Sequence, residues 1–84
     1  MTAYRQDALR CARFLQQHGP TKAATLRQST GVQSTPRLLQ RDVYGWFERT
    51  ERGIYDLSPL GRQALRTFAT AVAELDMEPA ADRG

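Results

Sequence analysis

The sequence predicts a mainly α-helical domain with a small β-hairpin. Three features of its 84 residues support this fold class. Apolar residues recur every three or four positions along most of the chain, which is the spacing of one helix face. Between residues 46 and 57 they become aromatic or β-branched and alternate with polar residues, as in strands. Glycine and proline separate these segments, so the ends of the elements can be placed.

Two helices are predicted at the start of the chain. The first covers residues 4–18, where the apolar residues form one stripe, and it ends at Gly19 and Pro20. The hydroxyl of Thr21 stands where it can cap a second helix over residues 22–30. The chain therefore begins with two helices joined by a very short connection.

A third helix is predicted to begin at Ser34 or Thr35 and to reach about Tyr44. Either hydroxyl can cap it, Pro36 falls in its first turn, and Gly45 is the expected stop. We expect its core-facing side chains to be Leu38, Leu39 and Val43. Helices two and three then form a helix-turn-helix.

A hairpin follows the third helix. Its strands are predicted around Trp46 and Phe47 and over residues 54–57, with Gly53 supplying the positive φ of a tight turn. A helix-turn-helix followed by such a hairpin, or wing, is a winged helix-turn-helix. This is the fold that we expect.

The last predicted helix covers residues 59–76. Ser58 caps it and Pro59 opens it, and the apolar stripe comprises Leu60, Ala64, Phe68, Ala71 and Leu75. Residues 1–76 are therefore expected to form one winged-helix domain, and residues 77–84 a mobile acidic tail.

Charge is distributed unevenly along the chain. Residues 1–70 carry eleven Arg/Lys against five Asp/Glu, whereas residues 71–84 carry one against four. A basic body favours a polyanionic partner, although many soluble proteins are basic for other reasons. No apolar run is long enough to cross a membrane, no signal segment opens the chain, and Cys11 has no second cysteine to pair with. We therefore expect a cytoplasmic protein with no membrane partner.

The exposed face of the third helix is the main candidate site. At about 100° per residue its polar residues fall within one arc, opposite the core-facing side chains. They are Gln33, Arg37, Gln40, Arg41 and Tyr44. Arginine suits guanine and glutamine suits adenine in the major groove, so this face is suited to reading base edges of double-stranded DNA. The same composition also occurs on ordinary solvated helix faces.

Cations on two neighbouring elements add to this candidate DNA-binding face. Arg49 and Arg52 flank the hairpin tip, where a wing reaches the phosphate backbone. Thr21, Lys22 and Arg27 lie on the second helix, which crosses the backbone in this fold. Each cation could instead be a solvated charge.

Four short runs carry a family resemblance. They are Gly19-Pro20-Thr21-Lys22, Thr30-Gly31-Val32, Tyr44-Gly45-Trp46-Phe47-Glu48-Arg49 and Arg52-Gly53-Ile54-Tyr55-Asp56-Leu57-Ser58-Pro59-Leu60-Gly61. These runs resemble winged-helix domains and, more narrowly, the C-terminal segment of a bacterial family of PD-(D/E)XK phosphodiesterases. The likeness covers about residues 14–66. It implies a nucleic-acid-binding or positioning module.

The resemblance does not bring a catalytic motif with it. Nuclease chemistry in that family needs paired carboxylates for a divalent metal and an Asp/Glu-x-Lys element. The only lysine is Lys22, and Pro20 stands two residues before it. His18 is expected to be structural, Cys11 a core residue, and neither a zinc ligand. We therefore predict no enzyme activity, no metal and no cofactor.

These observations favour a small winged-helix DNA-binding protein of a bacterium or phage, either a transcriptional regulator or an accessory protein. One alternative is a winged helix that binds a protein instead of DNA, as a phage-encoded inhibitor or a subunit of a complex. Another is a stand-alone remnant of the nuclease family that is recruited to a partner enzyme. A homodimer through the last helix is also expected, using Leu65, Phe68, Val72 and Leu75. The competing arrangement is a monomer whose last helix folds back over the first.

Overall fold

The computed structural model describes residues 3–70 and 72–73. They form a mainly helical fold with a small three-stranded antiparallel sheet, which confirms the predicted fold class and is compatible with a winged helix. The elements are α1 (Ala3–His18), β1 (Thr21–Lys22), α2 (Ala23–Thr30), α3 (Thr35–Arg41), β2 (Phe47–Glu51), β3 (Ile54–Leu57) and α4 (Pro59–Thr67).

The core lies between the helices and the inner end of the sheet. Its largest fully buried side chains include Leu9 and Leu15 of α1, Leu26 of α2, Leu38 of α3 and Leu57 of β3. The four helices and the strands β2 and β3 thus contribute apolar side chains to one shared core. Two of the predicted core positions are wrong, because Val43 is 62% exposed and Leu60 is 57% exposed.

The sheet contains a strand that the sequence does not predict. β1 pairs with β3, which also pairs with β2, so that the strand order is β1-β3-β2. Thr21 lies opposite Tyr55 in this pairing, and its hydroxyl donates to the Gly19 carbonyl at 2.8 Å. The predicted helix cap at Thr21 is therefore wrong. Lys22 is the residue before α2, and its side chain forms no cap hydrogen bond.

α3 is shorter than predicted and ends at Arg41. Asp42 adopts a left-handed conformation with φ of 45°, and its N–H donates to the Leu38 carbonyl at 2.9 Å. Its carboxylate also accepts from the N–H of Phe47 at 3.2 Å, which ties the helix end to β2. Tyr44 and Gly45 therefore lie in the connection after α3, and the predicted stop at Gly45 is wrong.

α4 begins as predicted. The Ser58 hydroxyl accepts from the Gly61 N–H at 3.1 Å, and Pro59 occupies the first turn. The helix is continuous only to Thr67, with Phe68 as its C-cap, and helical backbone resumes at residues 69–70 and 72–73. The predicted positions Ala71 and Leu75 and the predicted tail at residues 77–84 lie outside the described residues. None of the described helices is long and apolar enough to span a membrane.

Candidate nucleic-acid interface

α3 presents three of its predicted site residues to solvent. Arg37, Gln40 and Arg41 are exposed, while Leu38 and Leu39 on the opposite side are 1% and 3% exposed. The spacing explains this division, because positions one turn apart share a helix face. α3 therefore has one face anchored in the core and one polar face carrying two guanidinium groups.

Gln33 lies in the loop before α3, not on the helix as predicted. Its side-chain oxygen accepts from Arg27 Nη2 at 2.5 Å, and its backbone carbonyl accepts from Arg27 Nε at 3.2 Å. The Arg27 fork therefore bridges α2 and the loop that leads into α3. Both predicted site residues are exposed, and each is engaged by the other.

β1 places Lys22 beside the hairpin tip. Lys22 lies opposite Ile54 in the sheet, and the N–H of the next residue, Ala23, donates to the Gly53 carbonyl at 3.1 Å. The tip thus rests on the N-terminal end of α2. As a result, the exposed side chains of Lys22 and Arg52 belong to adjoining segments. Sequence reasoning assigned these cations to separate elements and missed the strand that joins them.

The hairpin carries the other predicted cation. Arg49 lies opposite Tyr55, whereas Glu51 lies opposite Ile54, so Thr50 is an additional residue that forms a bulge. A bulge increases the twist of a hairpin and changes the direction of the side chains after it. Arg49 and Arg52 are both exposed, and so are Glu48 and Glu51, so residues 48–52 expose two cations and two carboxylates.

Tyr44 belongs to an aromatic cluster and not to the face of α3. Its ring stacks on Trp46 with 4.5 Å between ring centroids, and it lies 5.7 Å from the ring of Tyr4. Trp46 in turn lies 6.1 Å from Phe68, and the Arg5 guanidinium lies over both Tyr44 and Phe68, at 5.9 and 5.2 Å from their centroids. The predicted placement of Tyr44 on the exposed face of the third helix is therefore wrong.

Cys11 and His18 do not form a reactive pair. Cys11 is fully buried, its Sγ lies 3.7 Å from Thr35 Oγ1, and burial raises the pKa of its thiol to about 11. His18 is exposed, with its ring 4.2 Å from that of Phe14. The prediction of Cys11 as a core residue is confirmed.

The described residues form a small, mainly helical domain, in which α3 and the β2–β3 hairpin each expose two arginines. The model of the family described as "Putative PD-(D/E)XK phosphodiesterase (DUF2161)" matches residues 1–64. The chain therefore belongs to this family. No match was found among curated proteins or among solved structures.

The family match corrects the functional predictions. The predictions of a transcriptional regulator, an accessory DNA-binding protein or a protein-binding winged helix are all wrong, because the description of the matched family points to a nuclease-like function. The prediction of a protein without enzyme function is wrong for the same reason. The sequence contains no Asp/Glu-x-Lys element, and the family model nevertheless matches residues 1–64.

The described residues do not fit the divalent-metal site that PD-(D/E)XK chemistry uses. Such a site needs several carboxylate or imidazole ligands close together. No group of three or more His, Cys, Asp or Glu side chains comes together within residues 3–70 and 72–73. The carboxylates of Asp42 and Asp56 accept hydrogen bonds from the backbone N–H groups of Phe47 and Leu57, respectively. We therefore derive no catalytic step from this part of the chain.

Proposed function

We propose that this chain provides the substrate-binding part of a phosphodiesterase that acts on double-stranded nucleic acid. The proposal rests on the family match together with the cations that the chain exposes. A member of a phosphodiesterase family exposes cations on α3, on the hairpin and at the start of α2. Phosphodiester substrates are anions, and each neutralised phosphate contributes to affinity through counterion release.

The proposal assigns α3 to the major groove, in the manner of a winged helix. Arg37 and Arg41 lie four residues apart, so both point to the same side of a helix that is narrow enough to enter the groove. Gln40 lies between them on that exposed face. The two arginines are suited to guanine edges and to the flanking phosphates, and the glutamine is suited to adenine edges.

The Arg27–Gln33 bridge has a supporting role in this arrangement. It joins α2 to the loop before α3 through two hydrogen bonds from one guanidinium. A bridge of this kind fixes the direction in which α3 leaves the loop. We therefore propose Arg27 and Gln33 as positioning residues for α3, in place of direct contacts to phosphate and base.

Lys22, Arg49 and Arg52 are assigned to the phosphate backbone. The β1–β3 pairing brings the exposed Lys22 to the side of the hairpin tip, and the N-terminal end of α2 begins there. Lys22 and Arg52, beside one tip, can contact one strand of a duplex that is held by α3. Arg49 can contact the duplex from the β2 edge of the sheet, because the strand register puts its side chain on the opposite sheet face from Lys22. These contacts position the substrate without reading its sequence.

Fluorescence anisotropy with a labelled 20-base-pair duplex tests the proposal. Arg37→Ala and Arg41→Ala are each expected to weaken binding by about 1–3 kcal/mol, roughly five- to 150-fold. The matched control is Arg62→Ala, because Arg62 is an exposed arginine of α4 that pairs with Asp56 at 3.8 Å and lies outside the proposed interface. Equal weakening by all three variants would overturn the assignment of α3 to the groove.

A further inference from the structure

A second polar site lies between α1 and the C-terminal end of α2. A cavity of about 160 Å³, here called the α1–α2 cavity, opens to the surface at this place. Its lining residues are Arg10, Arg13, Phe14, Gln17, Ser29 and Thr30. This set contains none of the residues that the proposed function assigns to the duplex.

The polar residues that line the α1–α2 cavity are hydrogen-bond donors. Two guanidinium groups, an amide and two hydroxyls supply hydrogen-bond donors, and no carboxylate is among the lining residues described. Arg10 and Arg13 lie three positions apart on α1, so both reach the same side of the helix. The Thr30 hydroxyl is already engaged, since it donates to the Leu26 carbonyl and accepts from the N–H of Val32. Arg10, Arg13, Gln17 and Ser29 are thus the groups suited to an added anion.

Charge and size together indicate the ligand. A terminal phosphate group carries about 1.5 to 2 negative charges near neutral pH and accepts several hydrogen bonds, which suits a lining that contains two guanidinium groups. A space of about 160 Å³ is similar to that of a protein cavity that holds a benzene molecule, so a phosphate group of five non-hydrogen atoms fits in it. Both arginines interact with other groups of the protein. Each guanidinium has five N–H donors, however, so it can hold a phosphate oxygen as well.

We propose that the α1–α2 cavity binds a phosphate monoester, and specifically the phosphorylated end of a nucleic-acid strand. Hydrolysis of a phosphodiester leaves a phosphate on one of the two new ends, so a phosphodiesterase produces such a group. The aromatic ring of Phe14, held against His18 at 4.2 Å, gives the sugar or base next to the phosphate an apolar surface. The choice of a strand end rests on the proposed function, whereas the phosphate chemistry of the cavity does not.

The first experiment measures binding of inorganic phosphate by calorimetry at constant ionic strength, with chloride as the replacing anion. Ser29→Asp places a negative charge in the cavity and is expected to weaken phosphate binding by about tenfold or more. Gln28→Asp is the matched control, because it adds the same charge to the neighbouring exposed position of α2 outside the cavity lining. Unchanged binding in Ser29→Asp, or equal loss in both variants, would overturn the proposal.

A second variant guards against misfolding. Arg10→Gln combined with Arg13→Gln is expected to abolish phosphate binding, and its thermal unfolding is recorded in parallel. If this variant unfolds, Ser29→Asp alone decides the question. Phosphate should also raise the unfolding temperature of the unmodified chain, because a ligand that binds only the folded state stabilises it. No rise at 10 mM phosphate would contradict the site.

The source of the phosphate is distinguished with three ten-nucleotide single strands that carry a 5′-phosphate, a 3′-phosphate or neither. We expect one phosphorylated strand to bind at least about tenfold more tightly than the unphosphorylated one, and more tightly than inorganic phosphate or adenosine 5′-monophosphate. Equal affinity of inorganic phosphate and strand would overturn the assignment to a strand end. Arg37→Ala with Arg41→Ala should leave this difference intact. If duplex binding fails while the terminal phosphate still binds, the proposed function falls and the cavity assignment remains.

Discussion

Gly61 of α4 lies directly against the main chain of Trp46. A Cβ at position 61 would collide with the Trp46 carbonyl oxygen and would lie 2.8 Å from Leu57 Cδ2. The same carbonyl accepts a hydrogen bond from the Ser58 N–H at 2.9 Å, so it cannot move aside without loss. Only glycine allows α4 to approach the connection between α3 and β2 this closely. The contact sets the position of α4 against the hairpin.

Gly61→Ala is therefore expected to destabilise the fold by about 3 kcal/mol, because a methyl group must displace backbone. Elsewhere in helices the same substitution stabilises by up to about 1 kcal/mol, so the sign is diagnostic. Chemical denaturation monitored by tryptophan fluorescence measures it. Gln63→Ala, an exposed position of the same helix, is the control and should change stability by less than about 0.5 kcal/mol. If Gly61→Ala left the free energy of unfolding unchanged, α4 would not pack this closely against the main chain of Trp46.

Ser58 secures the start of α4 through one hydroxyl. It donates to the Gly45 carbonyl at 2.5 Å and accepts from the Gly61 N–H at 3.1 Å, and the residue is 8% exposed. Ser58→Ala leaves both backbone groups without this partner and is expected to cost about 1–2 kcal/mol in the free energy of unfolding. Ser58→Thr keeps the hydroxyl and should recover part of the loss. No difference between the two variants would contradict the role of the hydroxyl.

Burial of Cys11 predicts a pH dependence of stability. The pKa of its thiol is raised from the ordinary 9.0 to about 11, chiefly because burial disfavours the thiolate. The folded state therefore keeps its proton where the unfolded state loses it. The stabilisation is fully present below pH 9 and is lost as the pH rises towards 11, by up to about 2–3 kcal/mol.

Denaturation curves between pH 8 and 11 test this expectation. The stability of the unmodified chain should fall more steeply over this range than that of Cys11→Ala, whatever their absolute difference. In the folded chain at pH 8, the thiol should also react with a thiol-specific disulfide reagent only as fast as the protein opens. Parallel curves for the two proteins would contradict the buried, protonated thiol.

Tyr44 and Arg41 distinguish the aromatic cluster from the proposed interface. Tyr44→Ala removes the stacking on Trp46 and the contact with Arg5, and should lower the free energy of unfolding by about 2 kcal/mol. Duplex affinity of the folded protein should stay within about twofold. Arg41→Ala should do the reverse, since Arg41 is exposed and anchors no core contact. If Tyr44→Ala lost duplex affinity without losing stability, Tyr44 would belong to the nucleic-acid interface.

Local patterns in the sequence predict much of this fold. The stripe of α1, the Ser58-Pro59 start of α4 and the hairpin with Gly53 at its tip all depend on neighbouring residues, and the structure confirms them. β1 was not predicted, because it is only two residues long and forms by pairing with β3, more than thirty residues away in the sequence. A strand of this kind has no periodicity of its own.

The end of α3 could have been placed better. Aspartate is among the few residues other than glycine that enter the left-handed region readily, and Asp42 does so four residues after the buried Leu38. Its bond to the Phe47 N–H, which fixes the helix end, is a contact that local propensity does not reveal. Tyr44 was misplaced as a consequence, because a longer helix would have put it on the same face as Arg37 and Arg41.

The site was predicted in part. The exposed cations of α3 and the hairpin follow from helix and strand periodicity, and the structure places them on the surface. The contact between Arg27 and Gln33 depends on side-chain rotamers across a loop, and sequence spacing does not encode it. The α1–α2 cavity was missed because its lining residues belong to two helices and are 12–20 positions apart in the sequence.

The salt dependence of duplex binding tests the central claim most directly. If the five exposed cations Lys22, Arg37, Arg41, Arg49 and Arg52 each neutralise one phosphate, the slope of log affinity against log salt should be about −4.5. Arg52→Ala should reduce that slope by about one, whereas Arg62→Ala should leave it unchanged. A steep slope that flattens only in the interface variant would support the account. A flat response, or no binding of duplex at 50 mM salt, would contradict it.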